Sequence, residues 1–174
     1  MPHFTFLRPW LAAAALALTA LTHLLPVTAQ AQTVATTGAQ VSTGQPLPAL
    51  KLKDQHDQPW SVGADTRVVL LASGRKASNL VQAVLEKEPK DFLAQRHAAY
   101  VADMSKMPGF ATRMFALPSL REMPFKVGVS LEEPTLAAWL RQPDSVTLIS
   151  LVNGVVHSVA YATSEADLRT ALAR

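Results

Sequence analysis

The stretch Arg67–Glu86, "RVVLLASGRKASNLVQAVLE", decides the fold. Val68–Ala72 is a short unbroken apolar run, the pattern of a strand buried on both faces. Ala77, Leu80, Val81, Val84 and Leu85 then recur at helical spacing, while Asn79, Gln82 and Glu86 fall off that stripe. This spacing predicts a helix that lays one face on a sheet. Ser73 is its expected N-cap, and Pro89 is expected to end it. Between strand and helix lies "SGRKASN", which holds two serines, a glycine, two cations and an asparagine. A strand turning into a helix is where many folds place their chemistry, so this turn is the first candidate site.

Downstream, Lys90–Arg96 can add a further helical turn, and "AAYVAD" (98–103) reads as the next buried strand. Pro108 and Gly109 open a second helix, with Phe110, Met114 and Leu117 expected on its inner face and Pro118 expected to kink or end it. Phe125–Leu131 is a strand interrupted at Gly128. "EEPTLAAWLRQ" fits a short helix or a strand, and the Leu136/Leu140 spacing favours the helix. Val146–Val152, Asn153-Gly154 and Val155–Ala162 read as strand, two-residue turn and strand. Asn-Gly suits a type I′ turn because both central residues take positive φ. The first of these strands is apolar on both faces and therefore central. The second carries His157 and Ser158 and belongs nearer an edge. Ser164–Asp167 starts a closing helix, with acids in its first turn and Leu168, Ala171 and Leu172 inward.

Upstream, Leu50 and Leu52 alternate with Lys51 and Lys53, "DQHDQP" is turn chemistry, and Trp60 and Val62 suit a second short strand returning beside the first. Residues 32–45, rich in threonine, glycine and glutamine, read as a flexible lead. Residues 1–31 carry the pattern of a secretory signal peptide. A short N-terminal region holds Arg8, an apolar run follows, and Ala29 and Ala31 are the small residues before a cleavage expected between Ala31 and Gln32. The rival reading, a retained anchor, is weakened by a slightly short run interrupted at His23 and Pro26, with no second apolar span. A periplasmic or secreted protein, free of the membrane after cleavage, is the expectation. The domain itself is expected over residues 46–174.

The 174-residue chain contains no cysteine. That removes disulfides, thiolate nucleophiles, thiolate metal sites and thiol redox chemistry together. A net charge of +3 without a run of like charges gives no basis for nucleic-acid binding.

The order β-β, β-α-β-α-β, hairpin, helix predicts an α/β fold with a mixed sheet and helices on both faces. It resembles the thioredoxin-like superfamily, with the two-stranded N-terminal extension of its peroxiredoxin and thiol-reductase branches. "GQPLPALKLKDQHDQPWSV" is similar to the start of those branches. "VTLISLVNGVV" resembles their hairpin and "SEADLRTALA" their terminal helix. The likeness covers Gly44 to Ala173, and the small YtfJ-type periplasmic proteins of unknown role are the group it resembles most. The resemblance implies an active-site turn after the first central strand, where relatives carry one or two cysteines and this chain carries "SGRKASN". It also implies a cis-proline ahead of the hairpin, where Val146 stands and a trans bond is expected. Thiol–disulfide exchange and thiol peroxidase chemistry are excluded, since both need a thiolate. No Gly-x-Gly-x-x-Gly follows a strand, and no cofactor is expected.

What remains is a possible interaction surface on the former active-site face: Ser73, Gly74, Arg75, Lys76, Ser78 and Asn79, with Val146 beside them. Backbone N–H groups at a helix start attract anions, so an anionic small molecule or a periplasmic protein is the expected partner. A non-catalytic binding module is the leading reading, and an enzyme with cysteine-independent chemistry on an anion at this turn is the alternative. A lesser alternative is Cu(I) held by Met104, Met107, Met114 and Met123, with His97 close in sequence. Its competitor is methionine as core filler. His56, His97 and His157 show no ligand spacing, and Glu132-Glu133 reads as a solvated turn.

Overall fold

The computed structural model describes residues 40–137 and 139–173. The segment 1–31, expected to be a signal peptide, and the expected lead up to residue 39 lie outside the described residues. The elements are β1 (Leu52–Asp54), β2 (Pro59–Trp60), β3 (Val68–Ser73), α1 (Arg75–Leu85), α2 (Phe92–Gln95) and β4 (Ala98–Asp103). A helical stretch over 109–121 follows, made of α3 (Gly109–Ala111), a π-turn (Thr112–Ala116) and α4 (Leu117–Arg121). Then come β5 (Val127–Ser130), α5 (Glu133–Leu136), β6 (Val146–Val152), β7 (Val155–Ala162) and α6 (Glu165–Leu172).

The seven strands form one mixed sheet in the order β2-β1-β5-β4-β3-β6-β7. β3 pairs in parallel with β4 and antiparallel with β6, which makes it the central strand that its unbroken apolar run demands. The crossovers β3→β4→β5 step the same way across the sheet. Right-handed connections then put α1 and the 109–121 helix on one face. The core agrees: Leu70, Ala72, Tyr100 and Leu148 pack with Val81 and Val84 of α1, Leu120 of α4 and Leu168 of α6. The opposite face buries Val69, Leu71, Val101 and Ile149 under Leu136 of α5, Trp139, Val41 and Leu50. Val41, inside the segment expected to be a flexible lead, is 1% exposed. Backbone bonds from Gly44 N to Val156 O and from Val156 N to Gln45 O tie that segment to the outer strand β7, covering part of an edge.

The hairpin is as the sequence predicts. Asn153 and Gly154 take φ 51° and 77°, and β7 lies at the sheet edge. α6 opens with a capping box in which Ser164 Oγ accepts from Asp167 N and the Asp167 carboxylate accepts from Ser164 N. The break at Gly128 has a packing cause, because a Cβ there would overlap the Trp60 ring. All described peptide bonds are trans.

Of the two outcomes expected at Pro118, the helix does not end but runs on to Arg121 past an irregular turn. The π-turn ahead of the proline widens the helix where the ring would otherwise meet the carbonyl one turn earlier. The π-turn also takes up an extra residue and rotates the apolar stripe. Thr112 and Leu120 turn inward, while Phe110 and Met114, expected inside, are 71% and 57% exposed.

Candidate functional site

The turn after β3 is built differently from its sequence reading. Ser73 is the last residue of the strand, and Gly74, at φ 90°, stands at the N-cap position of α1 without a side-chain cap. The register Ser73↔Asp103 points the Ser73 hydroxyl at its neighbour instead of at the helix. Ser73 Oγ donates to Asp103 Oδ2 at 3.2 Å and accepts from Arg141 Nε at 3.1 Å. Ser78 Oγ donates back to Gly74 O at 3.0 Å, taking up a carbonyl of the turn. Lys76 pairs with Asp144 at 3.2 Å in full view of solvent. Arg75 and Asn79 are exposed. Val146 is fully buried, paired with Ala72 and Ala162, so it lies beneath the surface on which it was expected.

Around Asp103 the structure assembles a polar lock. Arg141 Nη2 meets the Asp103 carboxylate at 2.8 Å and also donates to Leu136 O at 2.5 Å. Ser105 donates to the same carboxylate through its backbone N–H and its hydroxyl, at 3.1 and 2.7 Å. The Asp103 side chain is 4% exposed and that of Arg141 22%. A buried ion pair persists only when its remaining hydrogen-bonding capacity is met, as it is here. Neither residue was singled out from sequence, where Asp103 read as a strand end and Arg141 lay in the ambiguous segment. The parallel pairing of β3 with β4 brings Asp103 to Ser73, and the segment between α5 and β6 brings Arg141 to both.

Beside this lock, between α1 and the 109–121 helix, opens a cavity of about 630 Å³. Arg75, Ser78, Asn79 and Gln82 of α1 form its polar wall. Ala111, Phe115, Ala116 and Leu120 form the opposite wall. Met104, Met107 and Met123 bring three thioethers to it, and Tyr100 of β4 also lines it. Four of the residues expected at the site fall apart here: Arg75, Ser78 and Asn79 face the cavity, whereas Ser73 is consumed by the lock. Phe110 and Phe115 stand edge to face, 6.2 Å between centroids, with Phe115 65% exposed. Tyr100 is fully buried, and its hydroxyl makes no hydrogen bond of good geometry, the Ser78 side chain being close enough to interact with it only weakly. Burial pushes that hydroxyl up to about 12, with the Ser78 side chain opposing the shift.

The other candidates stay separate. His56 and His157 are exposed, in the β1–β2 turn and on the edge strand. His97, at φ 50°, pairs its Nδ1 with Asp65 Oδ2 at 3.0 Å, and this hydrogen bond holds the Asp65 carboxyl below its usual range. Glu132 and Glu133 are exposed at the start of α5. No group of three His, Cys, Asp or Glu able to hold a metal occurs among the described residues. The methionines divide, with Met104, Met107 and Met123 on the cavity and Met114 exposed elsewhere on its helix.

No family model and no curated protein matches the chain. Solved structures do. The peroxidoxin BcpB from Mycobacterium tuberculosis aligns with a TM-score of 0.50 at 15% identity, over 77% of this chain and 96% of its own. A putative protein disulfide isomerase from Bacteroides thetaiotaomicron aligns at 0.52 and 13%, over 76% and 87%. An uncharacterized thioredoxin-like protein from Porphyromonas gingivalis aligns at 0.50 and 14%, over 76% and 92%. Identity this low carries the fold and nothing about activity.

Proposed function

From a thioredoxin-like fold that holds no cysteine, we propose that this chain is an exported, non-catalytic binding protein of the periplasm, related in role to the YtfJ-type proteins. Its recognition face is the exposed part of 74–79 together with the cavity that α1 walls. The observation that carries the reading is that cavity: about 630 Å³, within the roughly 300–1,000 Å³ range of small-molecule sites, with Arg75, Ser78 and Asn79 on one wall. Export is supported by the signal pattern of residues 1–31.

A second reading, cysteine-independent chemistry on an anion, is favoured by the same concavity, since it requires a pocket lined by Arg75 or Lys76. Against it stands the lining. Its titratable groups among the described residues are Arg75 and Tyr100, and a tyrosine raised to about 12 is no base at neutral pH. Ser78 and Ser119 line the cavity without an acid or histidine beside them there. Binding is therefore the reading the geometry supports better.

The test is capture from periplasmic extract by the wild-type chain and by Arg75→Glu/Lys76→Glu. Loss of a bound partner or small molecule in the double variant is expected. Identical captured sets would sink the surface assignment. Fractionation with N-terminal sequencing checks export, with Gln32 as the expected first residue of a periplasmic product.

A further inference from the structure

We infer that the cavity between α1 and the 109–121 helix takes an amphiphilic monoanion, an apolar organic body that carries one carboxylate. The carboxylate sits at Arg75 and Asn79, and the apolar body lies among the methionines. This rests on the reading of that cavity as a recognition site, and it names the ligand's chemistry.

The charged end follows from α1. Arg75 and Asn79 stand four residues apart on one face of that helix, and both line the cavity. Their neighbours on the helix are already engaged: Lys76 with Asp144, Ser78 with Gly74 O and Gln82 with Glu86. Arg75 and Asn79 are exposed, and neither side chain makes a hydrogen bond or ion pair among the described residues. The guanidinium and the amide therefore both have donors to give, and a carboxylate accepts from both. Arg75 is the one charged side chain among the described residues on the cavity, and no aspartate or glutamate shares the lining with it. A single negative charge balances that wall. The dipole of α1 has its positive end at the same place and acts in the same direction.

The apolar body follows from the rest of the lining. Met104, Met107 and Met123 share it with Leu120, Ala116 and Phe115. Met104 and Leu120 also belong to the buried core, so they form the deep end, while the exposed Phe115 stands at the open end. A small polar anion would use Arg75 and leave this surface wet. An apolar chain removes it from water, which is worth about 0.8 kcal/mol per buried methylene. Thioethers adapt to irregular outlines, so the lining sets the polarity of the ligand's body more than its shape. A carboxylate held at the exposed Arg75 keeps part of its hydration while the chain is buried, which avoids the cost of taking an ion into an apolar interior.

The experiment uses the full chain with methionine methyl groups labelled with carbon-13. It is titrated at neutral pH with octanoate below its micellar range, with octan-1-ol, which has the chain without the charge, and with acetate, which has the charge without the chain. The resonances of Met104, Met107 and Met123 are expected to move with octanoate while that of Met114 stays. Octanoate is expected to bind about fivefold more tightly than octan-1-ol, the worth of a charged contact at a solvent-facing site, and the preference should shrink in high salt. Acetate is expected to leave the three methionines unmoved at the concentrations where octanoate saturates. In Arg75→Gln the two eight-carbon probes are expected to bind equally. Equal affinities in the wild type, with the methionines responding, would overturn the anionic end and leave the cavity as an apolar site. A preference for octanoate that survives in Arg75→Gln would overturn the assignment to Arg75. A response to acetate equal to that of octanoate would overturn the apolar body. No methionine response to any probe at saturation would overturn both the ligand and the recognition site. Should Arg75→Gln fail to fold, the ratio of the two affinities in the wild type and its salt dependence decide.

Discussion

Two polar centres lie a few residues apart at the end of the central strands, and they are built on opposite principles. At Ser73, Asp103 and Arg141 the polar groups are turned on one another: a 2.8 Å ion pair, a serine on each side of the carboxylate, and a guanidinium that also holds a backbone carbonyl. At Tyr100 a hydroxyl equally deep in the protein makes no hydrogen bond of good geometry and has the Ser78 side chain as a weak neighbour. The resemblance to thiol enzymes places an active-site turn where the lock now stands. In this chain the residues there fasten the segment around Arg141 to the sheet. The open space lies in the neighbouring cavity. A satisfied buried network has no donor or acceptor left over, while a poorly partnered buried group costs stability.

The largest effect should come from breaking the lock. Asp103→Ala leaves the partly buried Arg141 guanidinium without its carboxylate, with an expected loss of about 2–4 kcal/mol in urea denaturation. Asp103→Leu combined with Arg141→Met removes both charges and should recover most of that loss. A loss below about 1 kcal/mol for Asp103→Ala would mean that the pair is solvated and the contrast with Tyr100 is false.

The next effect has opposite signs at the two centres. Ser73→Ala strips a donor from Asp103 and an acceptor from Arg141 and should cost about 1–3 kcal/mol. Tyr100→Phe removes a hydroxyl whose only side-chain neighbour of note is a weakly placed Ser78, so the free protein should be nearly unchanged or more stable. A destabilisation by Tyr100→Phe as large as that of Ser73→Ala would show that the phenol already has a well-placed partner. The pH dependence sharpens this. A group whose folded pKa is raised contributes stability that is complete below its unfolded value of 10.0 and is lost as pH rises through the folded value of about 12. Wild type should therefore lose stability across that alkaline window more steeply than Tyr100→Phe, as chemical denaturation at stepped pH would read.

The two centres also differ in how far the sequence discloses them. The scaffold was legible because periodicity carries it. The apolar run of β3, the Asn-Gly hairpin and the Ser164 start of α6 are local patterns with local causes. The lock was not legible. Asp103 and Arg141 are ordinary residues until the fold brings β4 and the segment between α5 and β6 to Ser73, and Ser73 itself read as a helix cap. The cavity was half legible. Arg75, Ser78 and Asn79 were named from their place at the turn, but the opposite wall depends on the π-turn, which rotates Phe110 and Met114 outward against their spacing. Tyr100 was hidden inside "AAYVAD", where a strand pattern does not reveal a poorly partnered hydroxyl. Val146 was misplaced in the other direction, since a position near the hairpin does not disclose that β3 and β7 cover it.

The smallest expected effect bears on the ground between the two centres. Lys76 and Asp144 meet at 3.2 Å with side chains 70% and 67% exposed, so each keeps most of its hydration. An exposed pair of this kind contributes about 0–1 kcal/mol. Lys76→Ala should therefore shift stability by less than about 1 kcal/mol. A double-mutant cycle with Asp144→Ala should give a coupling that shrinks further in high salt. That outcome leaves Lys76 free to change partners, as a residue on a recognition face must be. A salt-insensitive coupling above about 2 kcal/mol would instead make Lys76 an extension of the lock, since only a desolvated pair resists screening. The recognition face would then contract to Arg75, Ser78 and Asn79 on the cavity wall.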